Sequence, residues 1–449
     1  MARIRTLASV LVLGAGLGLS APSLAEPRGL SLTVNSLGDD TIPGDGLVTL
    51  REAIVAAQTG GTTDLGQTGG GLAVPTRLDL RSLSGAIVLE DTLPVIEGLI
   101  RIDGPEDGSL RIDGDGPNGR KRILVVAGGF LDLINMELRN GLARGGAGGT
   151  CQQRSGCGGG GAGLGGSILL DHGFLSLAFV LISDSVAEGG AGGSRSLPAG
   201  DDGGGGGGGL DLAGGAPSPW TGGLGADGWP LTGLGGVAGT TSSPAGAGGD
   251  GAGGGGGAQA LSPNLAFTLG AAGGFGGGGG GGGRLGGTGG DTPLGGPGGF
   301  GGGGGGRGCK GLANDGPGGP GGEFAGNGGS SSGDGNVGGG GGGGAGLGGA
   351  IFARSGFVEL MDVRFSNNRA LRGAAGSHFG NNAGGAGQGK GGALFLMPGV
   401  GAVAMGVTFE DNAADDATGT GFTPGSPSDT NDVYGVLEVE DEIFRHGFE

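Results

Sequence analysis

The strongest constraint on this chain is a segment that it repeats. Gly166-Ser167-Ile168-Leu169, Gly349-Ala350-Ile351-Phe352 and Gly392-Ala393-Leu394-Phe395 each open one copy, and a glycine stands seven residues on in all three: Gly173, Gly356 and Gly399. A β-type stretch follows at 174–182, 357–365 and 400–409, the last one residue longer. Each copy closes on a polar run before alanine: Asp184-Ser185-Val186-Ala187, Asn367-Asn368-Arg369-Ala370 and Asp411-Asn412-Ala413-Ala414. A unit of roughly 20–25 residues with two or three short strands cannot bury an apolar face alone. Stacking such units pairs each strand with counterparts about 4.8 Å above and below. The pattern predicts an all-β fold, a right-handed single-stranded parallel β-helix. Asn368 and Asn412 fall at equivalent bends, where a stacked amide ladder and a plain turn both suit asparagine. Upstream, 78–80, 86–89, 99–102, 110–112, 123–126 and 130–138 read as further short strands broken by Gly, Pro and Asp.

Glycine limits everything else. There are 132 glycines in 449 residues, far above the usual share of about 7%, and glycine brings no side chain to a core. The excess lies between repeats, at about 144–165, 189–349 and 373–391. Such insertions default to disorder. The alternative is a polyglycine-II bundle, with Trp220, Trp229, Phe275 or Phe300 at its edges. A strict Gly-X-Y period is missing, which excludes collagen.

The first 25 residues read as a secretory signal peptide: basic Arg3 and Arg5, an apolar run from Leu7 to Leu19, then Ser23-Leu24-Ala25, with cleavage between Ala25 and Glu26. The run is too short and too glycine-dotted for a spanning helix, and no later segment offers one. Removal of the leader with its two arginines takes the formal charge from −18 to −20. That charge argues against nucleic acid and anionic lipid as partners. Export permits disulfides. Cys151 and Cys157 can pair across a short loop, or either can pair with Cys309; no histidine lies near them in sequence, so no metal site is expected. Asp113 and Asp115 are nominated as a calcium pair, against the plainer reading of solvated turn carboxylates; otherwise no cofactor is expected. No catalytic residues are nominated. Glycine-motif matches such as Gly329-Ser330-Ser331-Ser332-Gly333 lack the strand and helix their chemistry needs.

Thr49-Leu50-Arg51-Glu52 forms a capping box, with Leu50, Ala53, Ile54 and Ala57 on one helical face. With the preceding Asp45-Gly46, the run Thr49-Leu50-Arg51-Glu52-Ala53-Ile54 resembles the CSLREA domain of exported bacterial β-helix proteins, Val48 taking the cysteine position. The repeats are similar, more loosely, to polymorphic outer-membrane proteins. Residues 443–449 look like a short C-terminal tag, and the few residues after Gly435 leave no room for a membrane barrel. The expected division is signal peptide 1–25, cap 26–75, first β-helix turns 76–190, glycine-rich insertion 191–348, C-terminal turns 349–435 and tail 436–449. The resemblance implies an outer-surface or extracellular location. The function expected is adhesin-like or structural, with glycans or cell-surface components as partners. Glycan binding through an ordered insertion, or a polysaccharide lyase or hydrolase on the β-helix, are the alternatives.

Overall fold

Strand pairing follows the repeat residue for residue. Ile168 pairs with Ile351 and Ile351 with Leu394. Phe174 pairs with Phe357, and Val186 with Arg369 and then Ala413. All of these ladders are parallel. Leu124–Arg139 and Leu142–Arg144 belong to the same register, since Leu124 pairs with Ile168 and Leu142 with Val186. The extra residue of the last copy is visible as well, because Phe357 faces Gly401 rather than Val400. The computed structural model describes residues 30–196, 203–218, 220–228, 230–260, 267–285, 293–309, 316–332, 337–378 and 382–440. These form an all-β fold with a single helix; its main ladder runs from Leu30–Thr33 through Thr76–Asp79, Leu99–Asp103, Leu124–Arg139 and Ile168–Ser183 to Ile351–Ala353, Leu394–Leu396 and Val433–Gly435.

Alternation sets the core. Leu131, Leu133, Leu175, Leu177, Val358 and Leu360 point inward and are buried, while their neighbours in sequence point out. At the bends, the asparagines form a ladder. Asn368 is fully buried; its Oδ1 accepts from Ser185 N at 3.1 Å, and its Nδ2 donates to Ile182 O at 3.0 Å and Asn412 Oδ1 at 2.9 Å. Asn412 passes the pattern on, donating to Phe365 O and Asp432 Oδ1. Replacing Asn368 by Ala would strip the buried Ser185 N–H of its acceptor and Ile182 O of the Nδ2 donor, while Asn412 Oδ1 keeps the Asn368 backbone N–H; each buried group so deprived costs about 1–3 kcal/mol. A chemical denaturation midpoint well below that of the parent is expected for Asn368→Ala.

Helix α1 spans Leu50–Thr59. Thr49 accepts from Glu52 N, Glu52 reaches back to Thr49 N, and Gly60 closes the helix in the left-handed conformation. Leu50, Ala53, Ile54 and Ala57 are buried, and α1 packs on the strands Leu30–Thr33, Thr76–Asp79 and Leu99–Asp103 at one end of the ladder. Arg51 binds Asp39 at 2.7 Å and the carbonyls of Asp91 and Thr92. The role of Arg51 is therefore to tie α1 to the loops beside it.

The glycine-rich insertions are an ordered array wherever they are described. Extended segments lie side by side, and their N–H groups donate to three neighbours in rotation. Gly156, Gly159 and Ala162 donate to Gly282, Gly279 and Gly276; Cys157, Gly160 and Gly163 donate to Gly339, Gly342 and Ala345; Gly158 and Gly161 donate to Gly149 and Gly146. The carbonyls of the same segment accept from three other neighbours, near 190–193, 205–208 and 303–306. A three-residue period is that of the polyproline II-type chain. Each inner segment thus has six neighbours. A Cβ on Gly159 would sit 2.0 Å from Gly303 O, and one on Gly160 would sit 2.2 Å from Gly190 O. Glycine is required there because backbones touch.

The array docks on the stack through the ends of its segments. Phe275, Phe300 and Phe324 sit at turns and pack against Phe352, Phe395 and Tyr434, which project outward from the stack. Phe300 lies 6.3 Å from Phe352 and 6.2 Å from Phe395; Phe324 lies 5.5 Å from Phe395 and 5.1 Å from Tyr434. The edge positions that the sequence suggests for Phe275 and Phe300 are the array's attachment to the stack. Two cations reinforce it. Arg122, fully buried, donates to the carbonyls of Leu164 and Gly165 and pairs with Asp211 at 3.2 Å. Arg354 binds Asp171 of the stack at 2.9 Å and Asp250 of the array at 3.1 Å, and covers the Phe275 ring at 3.9 Å.

Candidate functional site

Parallel register converts scattered sequence positions into rows. On the outward face of the strands Leu99–Asp103, Leu124–Arg139, Ile168–Ser183 and Phe357–Met361, one row reads Arg101, Asp132, Ser176 and Glu359. The row beside it carries Phe130, Phe174 and Phe357, stacked at 5.0 and 5.2 Å. On its other side stand Asp103, Ile134, Ala178 and Met361. Arg101 binds Asp103 at 2.7 Å and approaches Asp132 at 3.6 Å.

Burial raises the Asp132 carboxyl above the usual carboxylate range, against the opposing pull of Arg101 and a hydrogen bond from Ser176. Glu359 is raised too, by burial first and then by the charges of Asp132 and Glu440. Asp132 and Glu359 stand two strands apart, roughly 9–10 Å at the backbone. Raised carboxyls held in one frame are the raw material of acid–base chemistry. They also cost stability when ionised: a carboxyl with a raised folded pKa weakens the fold as pH rises through that window. Asp132→Asn is therefore expected to melt above the parent at neutral pH, with the gap closing on acidification; thermal melts across a pH series measure it.

A second cluster gathers at the array end remote from Phe275 and Phe300. Cys151 and Cys157 are joined by a disulfide, with Cα atoms 4.6 Å apart. Cys309 is buried outside that bond. The His378 imidazole lies against the pair, so that one ring nitrogen and both sulfurs fall within 4.8 Å of one another. Burial lowers the His378 pKa and favours the neutral ring.

The other nominated residues do not converge. Asp113 is engaged by Arg111, Asn140 Nδ2 and the amide of Asp115, while the Asp115 side chain is exposed. Thr49, Leu50, Arg51, Glu52, Ala53 and Ile54 build the helix and its attachment. Ala25, Glu26, Trp229, Gly333, His446 and residues 443–449 lie outside the described residues. Sequence reasoning missed Asp132 beside Ser176, although aligning 130–138 with 174–182 would have exposed it. It missed His378 because 226 positions separate it from Gln152, whose carbonyl lies 3.4 Å from Nε2. Among the described residues no helix is long and apolar enough to cross a membrane. No protein-family model matches the chain, and neither a curated protein nor a solved structure matches it.

Proposed function

We propose that this chain is an exported, adhesin-like surface protein, a right-handed single-stranded parallel β-helix whose insertions form a polyglycine-II slab. In this reading it stands with the CSLREA-type β-helix proteins that its Thr49–Ile54 run resembles. The observation that carries the proposal is the edge of the array. The inner segments are almost wholly glycine, with only small side chains such as Ala162 and Cys157, whereas the edge segments 221–228 and 233–240 display Leu224, Leu234 and Val237 at 61, 78 and 62% exposure. Trp220 is exposed nearby in sequence. A rigid slab with apolar groups confined to its margin suits recognition of a cell-surface component such as a glycan, since little is lost in ordering on contact.

The full chain, expressed in a Gram-negative host, should appear outside the cytoplasm with Glu26 as its first residue. The purified product should bind an immobilised panel of cell-surface glycans saturably. Leu224→Ser/Leu234→Ser/Val237→Ser should lose that binding with an unchanged melting temperature. Retention of Met1 in the cytoplasm, or binding indifferent to the three substitutions, would overturn the reading.

Polysaccharide hydrolysis remains the second reading, favoured by the Asp132–Glu359 row. Inverting glycosidases keep two carboxyls about 6.5–9.5 Å apart, close to the spacing of these strands. Release of reducing ends from neutral polysaccharides, abolished in both Asp132→Asn and Glu359→Gln, would support it; no release from any of them would remove it.

A further inference from the structure

Cys151 and Cys157 lie in one insertion, at 144–165, and His378 in another, at 373–391, and they meet because the array brings the two segments together. Cys157 lies in an inner segment: its N–H donates to Gly339 O at 3.0 Å, and its carbonyl accepts from Gly306 N. Cys151 forms a parallel bridge with Arg195, and its carbonyl accepts from Ser196 N. Arg195 N in turn donates to Ser377 O, next to His378 in the chain. The backbones that carry all three side chains are therefore fixed by the lattice, whatever the sulfurs do.

We propose that reduction of the Cys151–Cys157 bond converts this cluster into a site for a soft divalent cation of the zinc type, with both sulfurs and one His378 ring nitrogen as ligands. Thiolate and imidazole are the donors such ions prefer over calcium or magnesium. Zinc sits about 2.3 Å from sulfur and 2.0–2.1 Å from nitrogen, which places tetrahedral ligands roughly 3.3–3.8 Å apart. The three atoms lie within 4.8 Å of one another, so small side-chain rotations complete the set. A three-residue set leaves the fourth position to water or another small ligand.

The chemistry is closed. A phosphine reductant gives two electrons to the disulfide and becomes the phosphine oxide, with oxygen taken from water; the two protons of that water go to the two sulfurs. A divalent ion then displaces both thiol protons as it binds. On reoxidation a disulfide of low molecular weight is cleaved to two thiols as the two protein sulfurs rejoin and release the ion, so metal occupancy would report the redox poise of the surroundings.

Cobalt(II) titration of the purified protein tests this, because thiolate ligation gives an intense near-ultraviolet charge-transfer band. Phosphine-reduced protein should show the band at one equivalent, and added zinc should abolish it. Oxidised protein should show none. His378→Gln should weaken cobalt binding by more than about 100-fold, beyond what loss of an outer-shell partner costs, with an unchanged melting temperature in the oxidised state. Cys309→Ala should keep the band. The proposal is overturned if reduced protein gives no band, if His378→Gln leaves the affinity unchanged, or if Cys309→Ala removes the band.

Discussion

Gly159→Ala is expected to disrupt the glycine array and lower stability by about 3 kcal/mol or more, the upper range for overpacking a tight interior. The added methyl would need the space that Gly303 O occupies at 2.0 Å. A normal contact requires the backbones to separate by more than an ångström. The segment cannot drift alone, because its N–H groups and carbonyls bind six other segments. Hydrogen exchange should therefore accelerate across 276–282, 303–306 and 339–345 together. Gly385→Ala is the matched control: its nearest neighbour, Asn327 N, is 3.2 Å away, and a loss under about 1 kcal/mol is expected. Equal melting temperatures for the two variants would show that 156–163 is not enclosed in a lattice.

The second large effect is expected at Arg122. Arg122→Met keeps most of the volume but leaves Asp211 without its cation and the carbonyls of Leu164 and Gly165 without a donor. Removing one partner of a fully buried pair costs about 3–5 kcal/mol; Arg122 is fully buried but the Asp211 side chain keeps 26% exposure, so the loss expected here is about 3 kcal/mol or less. Burial already holds the Asp211 carboxyl above the usual range despite Arg122. Its ionisation therefore weakens the fold as pH rises, and losing the arginine raises the carboxyl further. The deficit of Arg122→Met should be greatest at neutral pH and shrink as pH falls through the raised pKa, where Asp211 becomes neutral. Adding Asp211→Asn should recover much of the loss at neutral pH. A deficit that stays constant with pH would mean the arginine acts by packing alone.

The parallel stack was legible because its signal is periodic and local. The Gly-Ser-Ile-Leu, Gly-Ala-Ile-Phe and Gly-Ala-Leu-Phe openings pair in register, and even the extra residue before Gly401 appears where expected. Thr49 and Glu52 fixed the start of α1 by their spacing. The array was harder to read, since a glycine run has no side chains to show which neighbour it meets. Its clue was sparse: Gly-Gly-Phe-Gly-Gly at 273–277 returns at 298–302, marking successive turns. Functional groups were least legible. Asp132 and Glu359 share a row only through register, and His378 reaches Cys151 and Cys157 only through the lattice.

The aromatic seam links the lengths of the two halves. Phe275 and Phe300 repeat at 5.1 Å, and Phe352 and Phe395 at 5.2 Å. Phe300 and Phe324 sit in the half-steps of the Phe352–Phe395–Tyr434 ladder. The two gratings are commensurate, so each glycine hairpin is indexed to one storey of the stack. Adding a storey without a hairpin would leave an outward ring uncovered, and adding a hairpin without a storey would leave a phenylalanine overhanging water. Such a chain can change size only in paired steps, growing both gratings together like a zip with teeth on two different tapes.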